Sequence, residues 1–358
     1  MTPAPKRLLL VNPTRYLGNL LIAGGLVQDL AAQCRSRGGE LGVVLDTRYL
    51  PLLGEAFAGC HIIPYERSLI ARGGWQGWSA WLRCLRELRA WRADLAFNIE
   101  EDATSHHLTQ LSGAAFRLGC SLKRHRFGYH AVVPIDFEAS PEGRPHRWHQ
   151  YEDVFIRAGL APCSERQPGY VRLAVPPLGA RQRELLAARG LDPERPFAVL
   201  HVSATKEYKL WPASHFARLA ALLDAEGYQI ALIGAGADAV NISQVLAQLE
   251  PPLAARVCNL LNALPLDGLA ALLGRASLVV GNDSGPLHLA GALGARGAMI
   301  FGPTRSDLWG PLSPRIRLLQ DRSVCAADCS RRHCSRGRAC LAAITVENAV
   351  ASLTSIPC

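Results

Sequence analysis

Short aliphatic and β-branched runs alternate along the chain with longer segments whose apolar residues recur every three or four positions. The alternation happens twice. In the first half the apolar runs lie at 7–12, 41–46, 61–64 and 94–99; such short runs bounded by polar residues predict buried strands. Among the helical segments the clearest is 78–91, where Trp78, Trp81, Leu82, Leu85, Leu88 and Trp91 form one stripe expected to face a core. In the second half, strands are predicted at 197–203, 229–234, 277–282 and 297–302, and helices at 214–225, 239–249, 266–273 and 285–293. Strands in regular alternation with helices imply an α/β fold, with parallel sheets covered on both faces. Residues 141–177 are rich in Pro, Gly and charge and carry few strand signals. A boundary near 171–179 follows, with domains 1–175 and 176–358.

The 358 residues exceed one ordinary core, and 49% hydrophobic against 19% charged residues exclude a disordered chain. No apolar run approaches the ~20 residues of a membrane span. The apolar run at 8–11, after Lys6 and Arg7, is shorter than the about 7–15 residues of a signal-peptide core. It reads as a first buried strand, and a cytoplasmic location is expected. The net charge is +9, with basic groups at Arg83, Arg86, Arg89 and Arg92, at Lys123, Arg124, His125 and Arg126, and at Arg331, Arg332, His333, Arg336 and Arg338. Such groups are either solvated faces or contacts for anionic partners: phosphorylated substrates, acidic lipid surfaces or nucleic acid. Of the eleven cysteines, four crowd together as Cys325-x3-Cys329-x4-Cys334-x5-Cys340. Reduced thiols are the default for a chain without an export signal, and a tetrahedral zinc site or disulfides are the alternatives.

The segment richest in chemistry is Gly281-Asn282-Asp283-Ser284-Gly285-Pro286-Leu287-His288-Leu289-Ala290. A buried strand runs into a polar turn and a helix starts near Gly285, with Asp283 and Ser284 as candidate N-caps. Unpaired N–H groups and the positive dipole end suit a pyrophosphate there, and His288 sits one turn further in. The plain alternative is an ordinary capped helix. Against it stands the end of the next strand, Phe301-Gly302-Pro303-Thr304, followed by Trp309-Gly310-Pro311, which is built of the same residue types.

Together these segments resemble the donor-site signature of glycosyltransferase family 9, the lipopolysaccharide heptosyltransferase family. Upstream, His201-Val202-Ser203-Ala204-Thr205 with Lys209-Leu210-Trp211-Pro212, and Leu232-Ile233-Gly234-Ala235-Gly236-Ala237-Asp238, are similar to further family segments. The resemblance covers about 190–345, more weakly 5–30 and 93–120. It implies a GT-B architecture: two Rossmann-like parallel-sheet domains facing across a cleft, the acceptor on the first and the sugar nucleotide on the second. It also implies inverting transfer from ADP-heptose to a lipopolysaccharide core, without a cofactor or a required metal. In that chemistry Lys209 would neutralise the leaving pyrophosphate, or else be a surface or helix-capping lysine. Ser203, Thr205, Ser284 and the Gly285 backbone would donate to the pyrophosphate, and His288 would assist them. Asp283 would bind sugar hydroxyls or orient its neighbours, and Asp238 would accept from the ribose.

The chain departs from the family at its first loop. Where the family's Gly is followed by an Asp thought to be the general base, here Gly18 is followed by Asn19. An amide cannot take a proton near neutral pH. Three readings stay open: a base from Glu100, Glu101 or Asp102 (or His106 or His107), a transferase that needs little base catalysis, or a nucleotide-sugar-binding protein that lost catalysis. The three acids could equally cap a helix. The expected acceptor is a phosphorylated core glycolipid on lipid A at the cytoplasmic face of a Gram-negative inner membrane. Arg117, Lys123, Arg124 and Arg126 would meet its anionic groups, and no amphipathic membrane helix stands out. A nucleic-acid partner fits poorly, since no binding module is recognisable. A dehydrogenase would need a G-x-G-x-x-G turn where this chain has Asn12-Pro13-Thr14.

Overall fold

The computed structural model describes residues 5–120, 127–135, 144, 146–326, 329 and 334–356. The chain divides into two compact units, Met1–Arg172 and Leu173–Cys358. In the first, six parallel strands, β1 (Arg7–Val11), β2 (Glu40–Asp46), β3 (His61–Tyr65), β4 (Leu95–Asn98), β5 (Phe116–Cys120) and β6 (Ala131–Val133), lie in the order β3-β2-β1-β4-β5-β6. In the second, β7 (Phe197–His201), β8 (Gln229–Gly234), β9 (Cys258–Leu261), β10 (Leu278–Asn282), β11 (Gly297–Phe301) and β12 (Ile316–Gln320) lie in the order β12-β11-β10-β7-β8-β9. Counted from its own first strand, the second sheet repeats the order of the first. Each sheet changes winding direction once, between β1 and β4 and between β7 and β10. At such a point helices leave neighbouring strands on opposite faces, and a crevice opens beyond the strand ends.

The inner strands are nearly continuous apolar runs because helices cover both faces; β7 and β11 are buried along their whole length. The strands not foreseen are β5, β6, β9 and β12. Three of them form sheet edges, where a strand is short and open to solvent on one side. Arg117, Asn259 and Arg317 accordingly interrupt the apolar runs of β5, β9 and β12.

One expectation about helices needs correction. The helix Gly74–Ala90 buries Gly77, Ala80, Cys84 and Leu88, with Trp91 just beyond. Trp81 and Leu85 pack partly against that core, whereas Trp78 and Leu82 are exposed. Small side chains bring this helix close to its neighbour: a Cβ on Gly77 would lie 2.9 Å from the Leu69 carbonyl. Residues 141–177, which carry few strand signals, contain the helix Arg147–Ala158. It buries Trp148, Tyr151, Val154, Phe155 and Ala158 and packs on the helix Leu17–Ser36. Lys123, Arg124, His125, Arg126, Arg331, Arg332 and His333 lie outside the described residues. Among the described residues no helix is long and apolar enough to cross a membrane.

Candidate active site

In the second unit the winding change brings the ends of β7 and β10 together. Gly281 pairs with His201 across the two strands. A Cβ at Gly281 would come within 2.7 Å of the His201 carbonyl oxygen and 2.8 Å of Leu287, so only glycine allows this approach. The buried Asn282 then clasps the loop after β7: its Oδ1 accepts from the Trp211 N–H at 2.9 Å, and its Nδ2 donates to the Ser203 carbonyl at 3.3 Å. That loop carries Ser203, Thr205 and Lys209. Lys209 Nζ donates to the Asp283 carboxylate at 2.6 Å, with the two side chains 18% and 6% exposed.

Ser284 stands at the N-cap of the helix Gly285–Ala292, but neither it nor Asp283 caps the helix through its side chain. The Ser284 hydroxyl instead faces His201 Nδ1 at 3.0 Å. Burial pulls the His201 imidazole down to about 4, so it is neutral at pH 7. The helix start, uncapped by a side chain, keeps its dipole end for an anion. His288 is buried one turn further along, and Thr205 is exposed. Ser203 is buried, its hydroxyl 3.4 Å from Asn241 Nδ2. Asp238 lies in the turn after β8, where one carboxylate oxygen accepts from the Ala235 N–H at 2.8 Å and closes that turn.

The first unit uses the same place in its own sheet. Val11 pairs with Asn98, the helix Leu17–Ser36 follows β1, and Glu100 follows β4. Asn19 Nδ2 donates to Glu100 Oε1 at 2.9 Å, and the Tyr151 hydroxyl lies 3.5 Å from the same oxygen. Glu100 is buried, and burial pushes its carboxyl up to about 7. The Asn19 amide works against that rise, the nearby Asp102 adds to it, and Arg147 and Tyr151 oppose it. The three candidate acids therefore part company. Asp102 caps the helix Ala103–Leu111, accepting from the Ser105 N–H and hydroxyl at 3.0 and 2.5 Å. Glu101 is exposed, and Glu100 is the one beside Asn19.

His106 is buried with its Nδ1 3.1 Å from the Tyr129 hydroxyl, while His107 is exposed. Arg117 donates through Nε to the Gly128 carbonyl at 2.7 Å and through Nη1 to the Ala114 carbonyl at 3.0 Å. Asn282, Tyr151 and Arg147 were not anticipated, and His201 was noticed only as a strand end. The apolar spacing of Trp148, Tyr151, Val154, Phe155 and Ala158 is a legible helix signal inside the Pro- and Gly-rich segment 141–177.

Cys325, Cys329, Cys334 and Cys340 line one small cavity as free thiols, and the Arg338 N–H donates to Cys334 Sγ at 3.2 Å. Among the described residues no three His, Cys, Asp or Glu side chains are arranged to hold a metal ion.

This pairing of two like-wound sheets agrees with a family comparison. The model for glycosyltransferase family 9 (heptosyltransferase) matches residues 81–339, well over half of the chain. The chain belongs to glycosyltransferase family 9. Within the family it is 36% identical over 112 residues to lipopolysaccharide heptosyltransferase 2 of Escherichia coli K12, covering 31% of this chain and 32% of that protein. To lipooligosaccharide heptosyltransferase 2 of Haemophilus influenzae it is 32% identical over 119 residues, covering 32% and 34%. The matches thus span about a third of these curated relatives. Over nearly the whole chain the fold is that of E. coli ADP-heptose LPS heptosyltransferase II (TM-score 0.74, 23% identity, 98% of both chains). It is likewise that of a family 9 glycosyltransferase from Veillonella parvula (TM-score 0.77, 18% identity, 97% of both). This family 9 member therefore has the two-sheet α/β fold of the GT-B heptosyltransferases.

Proposed function

We propose that this family 9 member transfers heptose, or a closely related sugar, from an ADP-sugar to a lipopolysaccharide core acceptor with inversion, using Glu100 as the general base. The observation that carries this reading is Glu100 itself, a buried carboxyl raised to about 7 and hydrogen-bonded to Asn19. A group with that affinity for a proton is matched to accepting one from a hydroxyl at neutral pH.

The proposed step balances as follows. The acceptor hydroxyl passes its proton to Glu100 as its oxygen attacks the anomeric carbon. The bond from that carbon to the pyrophosphate oxygen breaks, and ADP leaves with the electron pair. Lys209 turns from Asp283 to the pyrophosphate and neutralises the developing charge, while the backbone N–H of Gly285 and the hydroxyls of Ser284, Ser203 and Thr205 donate to it. His288 assists at the phosphate. Asp283, released by Lys209, accepts from sugar hydroxyls, and Asp238 accepts from the ribose with its second oxygen. Glu101 and Asp102 support Glu100 without taking the proton. No step in this scheme calls for a metal or a cofactor. The acceptor, a phosphorylated glycolipid, puts the protein at the cytoplasmic face of the inner membrane in peripheral contact.

Several names support the reading: the curated relatives are heptosyltransferases, and an E. coli heptosyltransferase of the same fold is known with ADP-2-deoxy-2-fluoro heptose. The test is turnover of ADP-heptose by the purified protein with deacylated truncated core, alongside Asp283→Ala and Glu100→Gln. Turnover that both variants abolish supports the assignment. Tight donor binding with no turnover by the natural protein, and turnover gained in Asn19→Asp, would identify a nucleotide-sugar-binding protein instead. Absence of both binding and turnover would make the donor wrong.

A further inference from the structure

The helix Gly74–Ala90 has two apolar faces, and only one of them is buried. At ~100° per residue, its buried residues Gly77, Ala80, Cys84 and Leu88 occupy a stripe about 80° wide. Diametrically opposite runs a second stripe of similar width, formed by Trp75, Trp78, Leu82, Arg86 and Arg89. Its three apolar members are 85%, 64% and 56% exposed. Tryptophan and leucine with large exposed areas on one ridge are unusual for a surface with no partner. The ridge is also ordered along its length, with two tryptophans and a leucine first and two exposed arginines after them. No carboxylate lies on it. Arg83, off the stripe, is paired with Glu66 at 2.6 Å, and Arg89 reaches the Leu111 carbonyl through Nε at 3.2 Å.

We propose that this ridge is a membrane-docking face, laid against a bilayer that contains anionic phospholipids. The chemistry fits that partner in two ways. The indole ring, apolar with one N–H, partitions to the level of the headgroups. A neighbouring arginine row is attracted to a negative lipid surface, and its stems lie along the apolar boundary while the charged heads stay among phosphates. Docking here is therefore part insertion and part electrostatic, rather than electrostatic alone. The function of the face rests on the reading of the acceptor as a membrane glycolipid, but its binding does not.

The experiment is co-sedimentation of the full chain with phosphatidylcholine vesicles, with and without phosphatidylglycerol, at low and high salt and without any sugar nucleotide. The protein is expected to partition onto the anionic vesicles and to stay in solution with phosphatidylcholine alone at high salt. Trp75→Ser/Trp78→Ser should weaken partitioning by about tenfold or more. Arg86→Gln/Arg89→Gln should weaken it by about threefold to tenfold and flatten its salt dependence. Brominated lipid should quench tryptophan emission in the natural protein and much less in the tryptophan double variant. Because these positions are exposed, unchanged thermal melting verifies that each variant folds. Equal partitioning of the natural and tryptophan-variant proteins would overturn the proposal, as would no partitioning onto anionic vesicles. A self-association abolished by Trp75→Ser/Trp78→Ser, without vesicle binding, would identify the occupant as a second copy and overturn it too. Turnover on deacylated acceptor is untouched by any of these outcomes, so the two readings can fail separately.

Discussion

The two units wind their strands in the same order, yet place opposite chemistry at the same point. Beyond β1 and β4 the first unit buries an acid, Glu100, whose carboxyl is pushed up to about 7. Beyond β7 and β10 the second buries a base, His201, whose imidazole is pulled down to about 4, beside an intact lysine–aspartate pair. Desolvation is the largest cause in both cases, and in both it disfavours the charged form. A shared scaffold thus supplies a crevice and nothing more. The side chains at the strand ends make one crevice suited to holding a proton and the other suited to holding an anion.

The largest break in this comparison is expected from Glu100→Gln, which keeps the shape and the bond to Asn19 but cannot accept a proton. Steady-state kinetics should show kcat falling by about 10³ with little change in KM for the donor. In the natural protein, kcat should rise with pH, reach half its maximum near the raised carboxyl value of about 7 and level off above it. A pH-independent kcat between 5 and 8 would remove Glu100 from the reaction.

Next is Lys209→Met, expected to lower kcat by about 10² to 10³ through loss of leaving-group stabilisation. It also strands Asp283 in a buried position, at a cost on the order of 3 kcal/mol. Adding Asp283→Asn should restore the melting temperature but not turnover, which separates the pair's structural part from its chemical part.

The pH dependence of stability should differ in sign between the units. Folded Glu100 holds its proton more tightly than the unfolded chain does, so its effect on the first unit is neutral below its ordinary value of 4.5. It becomes destabilising as pH rises towards about 7, by on the order of 3 kcal/mol. Folded His201 holds its proton less tightly, so the second unit loses a similar amount as pH falls from the ordinary 6.5 to about 4. Hydrogen exchange resolved by peptide should show these opposite slopes, and Glu100→Gln or His201→Asn should flatten each one separately.

The smallest effect sharpens the comparison. Asn19→Asp sets a second carboxyl 2.9 Å from Glu100 in place of the amide. The two would share a proton, so the acid limb of the kcat profile should move up by about one pH unit. Activity at pH 7 would fall severalfold and recover at higher pH.

Much of this arrangement is legible in the chain itself. The strands nearest each winding change announce themselves as apolar runs, because helices on both faces leave no polar side. The Asp283-Ser284-Gly285 turn and Lys209 can be picked out because anion chemistry needs small residues, N–H groups and a cation close in sequence to a strand end. The edge strands β6, β9 and β12 are missed for the converse reason, being short and only half covered. Asn19 is visible as an amide where a base is expected, but its partner is not, since 81 residues separate it from Glu100.

What local sequence determined, then, was where strands, helices and phosphate-friendly turns begin, because those depend on periodicity and on neighbours a few residues away. Tertiary structure alone decided which of Glu100, Glu101 and Asp102 meets Asn19, that Lys209 pairs with Asp283, and that Trp75, Trp78 and Leu82 turn away from the core. Each of those outcomes depends on desolvation and on distances between residues far apart in the chain, and only the packed sheet and its covering helices set them.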